Sequence, residues 1–176
     1  MLIAHRLVVQ GRGLARPLLE RAPTVSLDWD LRQKSRFEAE DSTGRRLGVF
    51  LPRGTVVRDA DVLLAEDGSL VRVQAAAQEV LVVQPHPATG TPFDLLRAAY
   101  HLGNRHVQIE LRPDHLKIEP DHVLAGMLQR MGLEVRSAGL PFEPEAGAYQ
   151  GGHGHGHGHA HEHGHGHPHP HPPAGP

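Results

Sequence analysis

The chain has 176 residues, no cysteine, and a formal net charge of −2 when its 16 histidines are neutral. Without cysteine there are no disulfides, thiolate metal sites or cysteine nucleophiles. The near-neutral charge argues against a broad nucleic-acid surface. Setting aside a histidine-rich C-terminal stretch leaves about 150 residues, room for one or two small domains with a real core. Any metal must then be held by imidazole, carboxylate or backbone groups. These suit Ni(II), Cu(II), Zn(II) or Co(II) and disfavour Cu(I).

The opening "MLIAHRLVVQGRG" is a short apolar run broken by His5 and Arg6. It lacks the long apolar region and small-residue cleavage site of a secretory signal. No stretch approaches the roughly eighteen apolar residues that span a bilayer. The expected location is therefore cytoplasmic, with no membrane partner. Residues 1–76 then read as strands and turns. Ser42-Thr43-Gly44 separates two strand-like runs, and Asp67-Gly68 sits between Val62–Ala65 and Leu70–Val73, a strong hairpin signal. No amphipathic helix stands out, so this half is expected to be an all-β domain.

From Val80 the pattern changes. "VLVVQP" is a buried-strand signature. Thr91, Pro92 and Asp94 make a capping-box-like helix start. Leu95, Ala98, Ala99 and Leu102 form one apolar helical face, and Gly103 is expected to end the helix as a C′ glycine. "HVQIELR" alternates as a strand, with Val107, Ile109 and Leu111 on one side. "HLKIE" alternates again. Pro120 opens a second helix whose stripe is Val123, Leu124, Met127, Leu128 and Met131, closed by Gly132. "EVRSAGL" is a last strand. The order β-α-β-β-α-β is the ferredoxin-like arrangement. The expected fold class is α+β, with domains at 1–76 and 77–143. The tail, 144–176, has no apolar periodicity and is expected to be disordered.

Ten histidines alternate with Gly, Ala, Glu and Pro in this tail: His153, His155, His157, His159, His161, His163, His165, His167, His169 and His171. A purification tag repeats histidine without spacers, and a merely solvating tail needs no imidazole. Metal capture fits best, with about two to four imidazoles per ion. The alternating spacers forbid a fixed cage, so such binding is labile and unselective. The tail also makes net charge sensitive to pH between about 5 and 8. Six histidines lie elsewhere. His5, His86 and His115 read as ordinary, partly exposed residues. His101 stands at the end of the first helix, where a histidine suits the helix dipole. His122 stands in the first turn of the second helix, off its apolar stripe. His106 follows the turn "GNR" and lies on the polar face of its strand, which makes it the candidate ligand of the folded part.

"GNRH" after a helix, "DHVLAGMLQRMGL" one hairpin later, "FLPRGTVVRDADVLLAEDGSLVRVQAA" in the β half and the histidine-rich end together resemble the UreE family of urease accessory proteins, which are nickel metallochaperones. The resemblance covers nearly the whole chain. It implies a β-rich N-terminal domain, a ferredoxin-like C-terminal domain and a homodimer joined through the latter. It implies that His106 binds nickel at the dimer interface with its counterpart in the other subunit. His101 matches an additional histidine of some members. His122 matches the second position of a His-x-His pair, whose first position here is Pro120. The implied partners are the urease apoprotein and accessory maturation proteins, including a GTPase.

The physical chemistry is compatible with this reading. Near a two-fold axis one histidine appears twice. Two imidazoles underfill a nickel shell, which tethered tail histidines complete reversibly. Zn(II) and Cu(II) are expected to compete. Ligand imidazoles must be neutral, so affinity is expected to fall below about pH 6.5. Two other readings compete. A histidine-tailed peptidyl-prolyl isomerase needs an aromatic-lined pocket, and this chain has only one Trp, two Tyr and four Phe. A nickel or zinc store needs little beyond the tail, so the two-domain body argues against it. No catalytic triad or phosphate loop stands out, and the chain is expected not to be an enzyme.

Overall fold

Period-two burial along the first half builds a six-stranded sheet. A computed structural model describes residues 1–146. The tail histidines at 153 to 171 lie outside the described residues, as does the disorder expected there. The sheet contains β1 (Leu2–Val8), β2 (Thr24–Leu27), β3 (Arg36–Glu40), β4 (Arg46–Phe50), β5 (Val62–Ala65) and β6 (Leu70–Ala75). Its order is β2-β6-β5-β1-β4-β3. Both expected hairpins form, β3 with β4 and β5 with β6. At the second, Gly68 takes φ 84°, a value that disfavours any side chain, and Ser69 N–H donates to Asp67 Oδ1 at 2.8 Å. The inward residues Ala4, Val25, Leu27, Leu47, Val49, Leu63, Val71 and Val73 make one core.

This half differs from the all-β expectation in one way. Two short helices interrupt it, α1 (Arg16–Arg21) and α2 (Trp29–Arg32). At six and four residues they are too short to display a helical period. The sheet is mixed: β1 runs parallel to β4, and β2 to β6. Parallel neighbours are joined by long connections that leave no local signature.

The second half contains β7 (Ala77–Pro85), α3 (Pro92–Gly103), β8 (Glu110–Leu111), β9 (Leu116–Ile118), α4 (His122–Arg130) and β10 (Leu133–Pro141). Its sheet order is β10-β7-β9-β8, and every pairing is antiparallel. One face carries the helices. Leu95, Ala98 and Leu102 of α3 and Leu128 of α4 pack there on Val83, Leu116, Ile118 and Leu133. The opposite face of β7 presents Val80 and Val82 to Trp29 and Phe142. β7 is thus buried on both sides, which explains its unbroken apolar run.

Several local expectations are corrected. Gly103 is the last helical residue and does not take positive φ; the reversal occurs three residues later, at His106. The strand expected over 106–112 shrinks to Glu110–Leu111, because Gln108 and Ile109 before it are held by Trp29, Gln33 and the Glu145 amide rather than by a neighbouring strand. Pro120 precedes the second helix, and Asp121 is its N-cap, accepting from Val123 N–H and Leu124 N–H at 2.7 and 2.9 Å. Val123 is exposed, while the other four residues of its stripe pack inward.

Only Ala76 separates β6 from β7, and Met1–Glu145 forms one compact unit. Residues 144 and 145, just past the expected boundary at 143, are bonded to this unit. Arg58 Nη1 donates to Pro144 O at 2.6 Å, and Glu145 N–H to Ile109 O at 2.8 Å. The Arg32 guanidinium is fully buried; it pairs with Glu143 and donates to the carbonyls of Leu27 and Phe142. Burial pulls its pKa down, and the Glu143 carboxylate opposes that. Glu110 is also buried. Burial pushes its carboxyl up, but hydrogen bonds from Lys117, the Glu143 amide and Arg112 outweigh this and hold it below the ordinary carboxylate value.

Candidate metal centre

His106 owes its position to the end of α3. The helix begins as expected, with Thr91 N–H and hydroxyl donating to Asp94 Oδ2 at 2.8 and 3.0 Å. It ends in a Schellman reversal. Val107 N–H donates to Leu102 O at 3.2 Å, and His106 N–H to Gly103 O at 2.9 Å. Leu102 and Val107 belong to one apolar cluster, the contact that usually accompanies this motif. The residue at the left-handed position is His106, with φ 57°. Glycine normally sits there, and an L side chain costs about 1 kcal/mol or more. The imidazole so placed is exposed. A strained exposed residue on a well-bonded turn is a reason to look for function.

His101 lies in the last turn of α3, half-buried, its ring edge-on to Tyr100 at 5.4 Å. Arg105 Nη1 donates to its carbonyl oxygen at 2.9 Å, satisfying one of the helix-end acceptors. His122 is the first residue of α4 and is exposed. The remaining histidines have local partners. His5 Nε2 lies 2.7 Å from Glu66 Oε1, and His115 Nδ1 lies 2.8 Å from Asp114 Oδ1. His86 Nδ1 accepts from Ala88 N–H at 3.3 Å. Among the described residues no three His, Asp or Glu side chains gather closely enough to hold a metal ion. Sequence reasoning singled out His101, His106 and His122; the fold puts the first two on either side of one helix end and the third at the start of another helix.

The outward face of α3 is apolar as well. Phe93, Leu96 and Tyr100 are each about two-thirds exposed, at the i, i+3, i+7 spacing that aligns them along one side. Exposed aromatic and aliphatic side chains in a row mark an interaction surface more often than a solvated face. The sequence contained this signal. It was hidden by the stronger inward stripe, which made the helix look fully explained. Among the described residues no helix is long and apolar enough to cross a membrane.

Residues 4–76 match the family model described as UreE urease accessory protein, N-terminal domain. Residues 78–171 match the model for the C-terminal domain of the same family. The chain is 69% identical over 154 residues to a protein of Albidiferax ferrireducens named urease accessory protein UreE, covering 87% of this chain and 88% of that one. A protein of the same name from Paracidovorax citrulli is 70% identical over 154 residues, 87% of this chain and 73% of its own length. One from Burkholderia ambifaria is 54% identical over 140 residues, 80% of this chain and 67% of its own.

Proposed function

Because the chain belongs to the UreE urease accessory protein family, we propose that it is a nickel metallochaperone which supplies Ni(II) for assembly of the urease metallocentre. It acts as an accessory protein and not as a catalyst, in the cytoplasm. Nickel is its cargo. The observation that carries the reading, beside the family, is His106: an exposed imidazole on a reversal whose backbone is held in the left-handed region.

The working form is a homodimer. One imidazole underfills a nickel shell, and a two-fold axis near His106 presents it twice. The apolar row Phe93, Leu96 and Tyr100 on the helix that precedes His106 supports a partner copy at this face. His101 and His122 are auxiliary ligands, and the ten tail histidines collect metal and lend labile ligands. Zn(II) and Cu(II) compete for the same donors. The recipients are the urease apoprotein and its maturation proteins, including a GTPase.

The domain reading follows the same lines. Residues 1–76 form the strand-rich domain, residues 77–143 the metal-binding domain and residues 144–176 the tail. The antiparallel order β10-β7-β9-β8 supports a ferredoxin-like arrangement for the latter.

Nickel titration of two variants tests the function. Removing the chain from residue 153 onward lowers capacity and leaves about one tight ion per dimer. His106→Ala removes that tight class while the tail still binds. The opposite pattern, with tightness lost on truncation and kept without His106, makes the tail the site. Failure of the intact protein to raise activation of apo-urease by its partners would sink the delivery role.

A further inference from the structure

We propose that Trp29 and Gln108 are positioning residues for His106, acting from the N-terminal half. The inference rests on His106 holding nickel, as read above. His106 is left-handed, and such a conformation persists only when its surroundings over-determine it. Upstream, the two Schellman bonds fix it. Downstream, an alternating segment that ought to be a strand has no strand partner until Glu110. Three consecutive residues are held there by other means. The Trp29 indole N–H donates to Gln108 Oε1, and Gln108 Nε2 donates to Gln33 Oε1 at 3.0 Å. Ile109 O accepts from Glu145 N–H at 2.8 Å, and Glu110 Oε2 accepts from Glu143 N–H at 2.6 Å.

Gln108 is the nearest of these anchors, two residues from the imidazole's own backbone, and Trp29 is the group that makes it rigid. The indole is buried at the junction. The guanidiniums of Arg32 and Arg58 lie 5.2 and 5.0 Å from its ring centre, and Phe142 is edge-on to it at 6.1 Å. The Trp29 backbone N–H is held by Gln78 Oε1 at 2.8 Å. A buried indole N–H needs an acceptor, and here the acceptor is the segment carrying the candidate ligand. The first half of the chain thereby fixes where a side chain of the second half points. Loss of a partner that orients a metal ligand typically costs about 10–100-fold in affinity.

The test uses the full-length protein and nickel, with the tight class defined as what His106→Ala removes. Gln108→Ala and Trp29→Phe each weaken that class by roughly tenfold, the low end for groups that orient a ligand. Total capacity stays the same. The double variant is no weaker than the worse single one, because the Trp29–Gln108 bond is already lost in each single variant. Cu(II) loaded into the tight class shows a changed EPR hyperfine pattern in all three, while thermal melts confirm that Gln108→Ala, altered at an exposed side chain, stays folded. If His106→Ala loses the tight class but Gln108→Ala binds like the parent with the same Cu(II) spectrum, the positioning role is overturned and the site stands. Effects that multiply in the double variant with an unchanged spectrum overturn it too, since they mark independent structural damage. Retention of the tight class by His106→Ala brings down the site and this inference together.

Discussion

The two helices of the second half end in different ways. α4 closes on Gly132, with φ 85° and its N–H bonded to Gln129 O at 3.0 Å. α3 closes on His106, with φ 57° and the equivalent bond to Gly103 at 2.9 Å. The backbone problem is the same at both ends. At α4 the residue with no side chain solves it without strain. At α3 a ring occupies the strained position, and bonds from the N-terminal half and from Glu143–Glu145 hold the chain that follows. Strain is found at the end that carries the candidate ligand and is absent where the turn only reverses direction.

Damage to the fold is greatest at the junction. Phe142→Ala empties a fully buried site beside Trp29. It is expected to cost about 3–5 kcal/mol, as for other buried Phe. Denaturant unfolding measures it, and a loss under about 1 kcal/mol would mean that the junction does not support the fold. Substitution at the two helix ends sharpens the contrast. Gly132→Ala forces a side chain into the left-handed region and destabilises by about 1–2 kcal/mol. At the other end, His106→Gly is more stable than His106→Ala by about 1 kcal/mol, while neither binds nickel tightly. Equal stability of these two variants would show that His106 is not strained.

Acid separates the ends more gently. The Glu110 carboxyl is held below its ordinary value in the fold. A lowered folded pKa contributes stability that is fully present above the unfolded carboxylate value, about 4.3, and is lost as pH falls through the folded value. Protection of the amides at 107–110, taken relative to the intrinsic exchange rate at each pH, should therefore fall as pH drops below about 4, before protection at 131–133 does. Simultaneous loss at both ends would contradict this. The smallest effect belongs to the locally paired histidines. His5→Gln and His115→Gln should each change stability by less than about 0.5 kcal/mol, since exposed pairs contribute little. Calorimetry should find the tight nickel class intact in both.

Reading the residues in order revealed what local chemistry controls. Asp67-Gly68 made its hairpin because few other dipeptides fit the turn. Thr91 and Asp94 started α3, Gly132 ended α4, and the stripe Leu95, Ala98 and Leu102 chose the helix face that meets the sheet. Each depends on neighbours within a few residues, so each is visible in the sequence. His106 was singled out the same way, from its place after a turn. Distant partners were not visible. Nothing near Arg32 announces a buried guanidinium, because Glu143 meets it only after 110 intervening residues have folded. The alternation of "HVQIELR" promised a strand, yet pairing depends on which edges lie alongside, and the junction supplied Trp29, Gln33 and the Glu145 amide instead. That the N–H of Trp29, the one tryptophan, would hold the segment after the candidate ligand was decided only when the two halves packed.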